Sequence, residues 1–247
     1  MPGLDRYLEI LRLFSEVRSV WTVQDIAGAT SVPVSTTYRA VRDLARNKML
    51  EPANEGEYRL GAAFIEFDRL IRLTDPLVKA GMATLNDIAR QTEVPCVAVL
   101  CRLYGDTVMC VADTRNAGSD VQTSFERGRP RPLTRGATSK AILAQLAPRR
   151  LEKLLARDAQ HVTLTAAARS AFREELALIR RRGFSVTRGE VDVGRMGIAV
   201  PLSVPAQALH ASLSVVLHAS SVDETIERRL IAVLGEAAGR LAGEMKG

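Results

Sequence analysis

Between residues 31 and 48 two chemical faces alternate at helical spacing. Val34, Thr37, Ala40, Val41 and Leu44 are small or apolar and predict a buried stripe. Ser35, Thr36, Arg39, Arg42 and Arg46 fall on the opposite face, hydroxyls first and guanidinium groups further along. Short hydroxyls let a helix approach a duplex closely, and arginine pairs bidentately with guanine or with phosphate. Ser31 is expected as the N-cap, with Pro33 in the first turn, where a missing N–H costs nothing. Alone, the stretch fits a recognition helix as well as an amphipathic surface helix with a solvated charged face.

The neighbouring pattern favours the first. Leu4, Tyr7, Leu8, Leu11 and Phe14 make one stripe of a first amphipathic helix. Thr22 is a good N-cap for a brief helix with Val23, Ile26 and Ala27 inward, and residues 30–32 turn the chain into the stretch above. Two short helices joined by a tight turn are the helix-turn-helix pattern. Met49-Leu50-Glu51-Pro52, the turn Asn54-Glu55-Gly56-Glu57 and Tyr58-Arg59-Leu60-Gly61 then predict a hairpin, making residues 1–61 a winged helix. The wing tip and Arg59 are within reach of phosphates or the minor groove, although Glu55 and Glu57 would be repelled there. Residues 62–75 read as a linker helix. Phe64, Ile65, Phe67, Leu70, Ile71 and Leu73 are too many apolar groups for one buried stripe, so it is expected to pack against a partner chain.

From Asp75 the pattern changes. A helix is expected at 77–91, and strands at 94–103 and 107–114 around Tyr104-Gly105-Asp106. A third strand is expected at 121–125, and helices at 138–146 and 149–155. A long helix at 166–182 should stop at Gly183, with three arginines before it that suit a helix C-terminus. Strands at 184–187, 197–204 and 208–217 and a helix at 223–245 complete the chain. The class is α+β: a mostly antiparallel sheet flanked by helices, over residues 76–247.

Composition narrows the function. With 247 residues and 47% hydrophobic content the chain can fill two modest cores. No run approaches the roughly 18 apolar residues of a membrane span, and the charged N-terminus is unlike a secretory signal. Both point to a soluble cytoplasmic protein without a membrane partner. Cys96, Cys101 and Cys110 are odd in number, lack CxxC spacing and sit in apolar sequence, which suits small core residues. The net charge is +6, yet residues 1–61 hold eight basic and eight acidic groups. That neutrality argues against an architectural nucleic-acid protein. The excess lies between Arg127 and Lys153, where Arg127, Arg129, Arg131, Arg135, Lys140, Arg149, Arg150 and Lys153 face Glu152 alone. Such a cluster suits nucleic acid, another subunit's acidic surface, or an anionic ligand.

No nucleophile–base pair is visible. Arg135-Gly136-Ala137-Thr138-Ser139-Lys140 lacks the GxxxxGK[ST] spacing, and His161, His210 and His218 have no ligand-spaced partners. Neither a cofactor nor a metal is expected. The same stretch makes sense as an anion site at a helix N-terminus, with Thr138 capping, Gly136 admitting a ligand, and Arg135 or Lys140 adding charge. Ser214 alternates with Leu213 and Val215, so it should point to the opposite face of its strand.

Three landmarks carry a resemblance to a known family. LDRYLEIL (4–11) leading to PVSTTYR (33–39), YRLG (58–61), and GFSV (183–186) followed by Glu190, Gly194-Arg195 and Ala199-Val200-Pro201 together resemble the isocitrate lyase regulator (IclR) family of transcriptional regulators. The resemblance implies a winged helix-turn-helix joined by a linker helix to a GAF-like (profilin-like) antiparallel-sheet effector domain. It implies a homodimer or tetramer on a pseudo-palindromic double-stranded operator, with dimerisation through the linker. The DNA contacts expected are Ser35, Thr36, Tyr38, Arg39, Arg42 and Arg59. The effector walls expected are Ala137 and Thr138, Thr187 and Arg188, and Ser214 to Val216, with Arg135 beside them. The chain departs from the family at Thr187 and Arg188, where an acidic pair is usual, at Gly197, where a cysteine is usual, and at Val216, where serine is common. The extra arginines favour a small organic acid as effector. The expected function is ligand-responsive regulation, as a repressor, of a small-molecule catabolic operon; a GAF-like enzyme with an appended helical domain is the alternative.

Overall fold

The computed structural model describes residues 3–158, 165–204 and 207–246; His161 lies outside them. The chain forms two compact units, residues 1–74 and 75–247.

The first unit holds α1 (Gly3–Arg12), β1 (Trp21–Thr22), α2 (Val23–Thr30), α3 (Val34–Arg46), β2 (Leu50–Pro52), β3 (Glu57–Leu60) and α4 (Ala63–Thr74). Its core joins Ile10, Val23, Ile26, Ala40, Val41, Leu44 and Leu50, one or more from each of α1, α2, α3 and β2. Each such large apolar side chain contributes about 1.5–3 kcal/mol when fully buried. The stripe expected on α3 is present with one exception. Val34 is 50% exposed, because it opens the helix before the inward face has begun. Leu4 and Leu8 are exposed as well, and Ile10 supplies the deep contact of α1 instead.

The turn also differs from expectation. Ser31 does not cap α3; it ends α2 in the left-handed region at φ 53°. α3 starts from Pro33, whose carbonyl accepts the N–H groups of Thr36 and Thr37, with no side-chain cap. Thr22 caps α2 as expected, accepting from the Asp25 N–H. Trp21 and Thr22 pair with β3, so the wing is a three-stranded sheet in the order β1-β3-β2.

The second unit is built on a six-stranded antiparallel sheet in the order β6-β5-β4-β9-β8-β7. These strands are β4 (Cys96–Tyr104), β5 (Thr107–Arg115), β6 (Pro130–Arg131), β7 (Ser185–Arg188), β8 (Arg195–Val204) and β9 (Leu209–His218). The helices are α5 (Pro76–Gln91), α6 (Ala137–Leu143), α7 (Pro148–Asp158), α8 (Ala166–Arg182) and α9 (Glu224–Glu244). Strand alternation sends Leu100, Leu213, Val215 and Ile198 to one face, under α5 and α9. It sends Val97, Val99, Cys101 and Val216 to the other, under α6, α7 and α8. α5 lies close: a Cβ at Gly81 would come within 2.4 Å of a Leu100 methyl. Gly183 ends α8 in the left-handed region at φ 81°, as its sequence predicts.

Residues 121–125 are not the expected third strand. Val121, Thr123 and Phe125 do alternate inward, as a strand would. Yet three carbonyls of the segment, those of Val121, Gln122 and Ser124, are taken by arginine side chains rather than by a ladder. Arg115 donates to the Val121 carbonyl, Arg195 to that of Gln122 at 2.9 Å, and Arg131 to that of Ser124 at 2.9 Å. The edge strand is Pro130–Arg131 instead, and proline suits an edge because it lacks a donor. Among the described residues no helix is long and apolar enough to cross a membrane.

Candidate DNA-binding surface and effector cavity

In the first unit, burial of Thr37, Ala40, Val41 and Leu44 turns the other side of α3 to solvent. Ser35, Tyr38, Arg39 and Arg42 are exposed and Thr36 is half-buried. Among the described residues, Arg39 and Arg42 have no ion-pair partner. Arg46 leans on Asp43 at 3.4 Å. Asp43 in turn accepts from the Tyr7 hydroxyl at 3.1 Å, which ties α1 to the back of α3. Arg59 is differently placed, because its Nε donates to Glu51 Oε1 across the wing at 2.7 Å. At the wing tip Asn54 donates to Glu57 at 2.9 Å and Gly56 takes a positive φ of 74°. Sequence reasoning passed over Arg18, which stacks 3.6 Å from the Trp21 ring centroid and pairs with Asp25 at the start of α2.

In the second unit, α6, β7 and the β7–β8 connection surround a small cavity on the sheet face under α6. Phe125, Ala137, Thr138, Thr187, Gly197 and Val216 line it, together with residues 189–192 and Arg195. About 20 Å³ is open to the centre of a water-sized sphere, room for about one or two waters. The Ala137 N–H donates to Thr187 Oγ1 at 3.1 Å. The Thr138 hydroxyl donates to Ser214 Oγ at 3.1 Å instead of capping its helix, and Ser214 is fully buried behind it. The N-cap of α6 is Gly136, with no side-chain cap. Gly136 has φ 86°, and a Cβ there would stand 2.8 Å from a Val191 methyl. Only glycine meets both demands without strain.

The positive groups expected to await an anionic ligand are already engaged. Glu190 accepts from the Gly136 N–H at 3.0 Å and from Lys140 Nζ at 2.7 Å. Lys140 also donates to Glu175 at 2.8 Å and is almost completely buried. Arg135 donates to the Glu190 carbonyl, and Arg188 pairs with Glu227 at 2.5 Å on the outer surface. Of the expected effector residues, Ala137, Thr138, Thr187 and Val216 meet at the cavity, Ser214 stands one layer behind, and Arg135 and Arg188 do not line it.

Sequence reasoning missed Asp192. Its carboxylate accepts from Thr123 Oγ1 at 2.9 Å, from Ser124 N at 3.0 Å and from Ser124 Oγ at 2.8 Å. Burial alone would raise this carboxyl, but the bonds from Ser124 and Thr123, with Arg131 nearby, outweigh it and hold it below the ordinary range. Arg131 is itself buried, with its guanidinium 4.3 Å from the Phe125 ring centroid, and burial lowers its affinity for its proton. The signal available was the run Gly189-Glu190-Val191-Asp192-Val193-Gly194, two acids bracketed by glycines. The cysteines are buried and unpaired, and burial pushes the Cys101 thiol well up, which keeps it in its inert protonated form. Among the described residues no cluster of three or more potential metal ligands occurs.

Comparison with known proteins agrees with both units. The model of the IclR helix-turn-helix domain matches residues 3–53, and that of the bacterial transcriptional regulator IclR C-terminal domain matches residues 74–242. The HTH-type transcriptional regulator BhcR of Paracoccus denitrificans is 27% identical over 223 residues, covering 86% of this chain and 76% of its own length. A transcriptional regulator from Alicyclobacillus acidocaldarius shares the fold, with TM-score 0.82, 22% identity, and 99% and 98% of the two chains covered. An IclR homologue from Microbacterium hydrocarbonoxydans, solved with 4-hydroxybenzoate, matches with TM-score 0.78 at 21% identity over 98% of each chain. The relatives are named as transcriptional regulators and not as enzymes. With its C-terminal match alone spanning well over half its length, the chain belongs to the IclR family of bacterial transcriptional regulators.

Proposed function

We propose that this regulator is a cytoplasmic repressor that binds a pseudo-palindromic operator as a homodimer or tetramer and responds to a small organic acid from the pathway it controls. One observation carries the DNA half of the reading: Arg39 and Arg42 stand exposed on α3 with no ionic partner among the described residues. An exposed cation without an intramolecular partner is free to release counterions to phosphate or to read a guanine. Ser35, Thr36 and Tyr38 share that face. Arg59 reaches DNA only by leaving Glu51 or by carrying it along the backbone, and its contribution is accordingly smaller.

The effector half rests on the cavity beside α6. Phe125, Val191 and Val216 supply apolar walls, and Thr138 and Thr187 supply hydroxyls, a combination that suits a small acid with an apolar body. The related protein solved with 4-hydroxybenzoate supports this class of ligand. Glu190 and Asp192 at the rim favour a second reading, a hydroxylated neutral ligand. A thermal-shift screen of aromatic acids, aliphatic acids and polyols separates the two. The organic-acid reading expects acids to raise the melting temperature, and Thr138→Val to reduce that rise. A rise with polyols alone, or with no compound at all, contradicts it.

A further inference from the structure

Residues 189–194 connect β7 to β8 over the cavity and are tied to both of its sides. The segment leaves β7 and returns to β8 between two glycines at positive φ, Gly189 at 66° and Gly194 at 72°. A Cβ at either would meet nothing, so their freedom serves the backbone turn and not a tight fit. Between them the apolar content is low: Val191 is half-buried and Val193 is 94% exposed. Backbone bonds fix its base, from Gly189 N–H to the Arg195 carbonyl and from Ala219 N–H to the Gly194 carbonyl. Above that base, the Arg135 bond to the Glu190 carbonyl, Val191 and two carboxylates hold it down. Glu190 binds Lys140 and the Gly136 N–H on α6 and just before it. Asp192 binds Thr123 and Ser124 of the extended segment on the other side of the cavity. Held this way, it leaves beneath it room for about one or two waters.

We propose that residues 189–194 form a strap that swings on Gly189 and Gly194, latched shut by Glu190 and Asp192, and that its opening admits ligand to the cavity. The gating consequence rests on the effector reading above; the latch and its opening do not. Segments held by few apolar contacts and several polar ones open locally at far lower cost than the sheet beneath them. The Glu190 carboxylate sits on the same donors that the sequence offers to an anion, the Gly136 N–H and Lys140, and Lys140 keeps Glu175 as a second partner.

The test needs no ligand. Val216 faces the cavity and is 3% exposed, so Val216→Cys places a thiol under the strap. Cys96, Cys101 and Cys110 are buried in the same unit and serve as internal references for global unfolding. Alkylation by iodoacetamide is followed by mass spectrometry in the full chain, with Glu190→Gln and Asp192→Asn added separately. Losing one charge-assisted hydrogen bond should raise the labelling rate at position 216 roughly ten-fold or more, with the three native thiols unchanged. Hydrogen exchange gives a second reading in the protein without the added thiol, since the Gly136 and Ser124 amides donate to the two latch carboxylates. They should lose protection while β4 and β9 keep theirs. A labelling rate that neither substitution alters overturns the strap, as does a rise shared equally by the native cysteines. A failed ligand screen would sink the effector reading and leave this result standing.

Discussion

At the scale of single residues, the cavity depends on a few positions with no latitude. Gly136 combines a φ of 86° with a neighbour 2.8 Å from where its Cβ would be. Gly136→Ala should therefore lower stability by about 1–3 kcal/mol, read as a shift in the urea midpoint without a change in slope. A neutral result would mean that Val191 yields freely. Asp192 gives a pH prediction. Its folded pKa lies below the ordinary carboxylate value, so its stabilising contribution is present above about pH 4 and is lost as pH falls through the folded value. Protection of the Ser124 amide, corrected for intrinsic exchange, should stay level from pH 7 to about pH 5 and fall only below about pH 4. A loss of protection near neutral pH would assign the latch to another group.

At the scale of elements, much of the architecture was legible because burial imposes period on sequence. The faces of α3, the arginine-rich end of α8 with Gly183, and the strands β4, β5, β8 and β9 follow directly from spacing. The failures have identifiable causes. Residues 121–125 alternate like a strand, but three arginines distant in sequence take the carbonyls, and spacing cannot report that. Ser31 looks like a cap by residue type, yet the turn needs a left-handed residue there. The cavity was half legible: the residue types around Thr138 announce an anion site, while the protein's own Glu190 fills it from 52 positions further on. α4 is the element whose sequence leaves most unexplained within one chain. Phe64, Ile65, Phe67, Leu70, Ile71 and Leu73 are all at least 36% exposed. We propose that these exposed apolar side chains pack against a second copy of the chain. Sedimentation at micromolar concentration should show a dimer or larger species, weakened by Phe67→Glu with Ile71→Glu. A clean monomer of the parent chain would refute self-association.

At the scale of the whole molecule, the two units carry different chemistry: one presents arginines with no ionic partner among the described residues on a helix, the other holds a small polar-rimmed cavity. A two-fold assembly would repeat the first at half-sites about 34–36 Å apart or multiples of that spacing, which is why a pseudo-palindrome is expected. The most direct measurement of the central claim is selection of bound sequences from random double-stranded DNA, followed by titration of the winning duplex at two salt concentrations. The full chain should enrich a two-fold symmetric site. Arg39→Ala and Arg42→Ala should each weaken it by about 1–3 kcal/mol, with relaxed specificity where a base is read and a smaller salt slope where a phosphate is held. Failure to enrich any duplex, or enrichment and affinity that neither substitution changes, would contradict a DNA-reading role for α3.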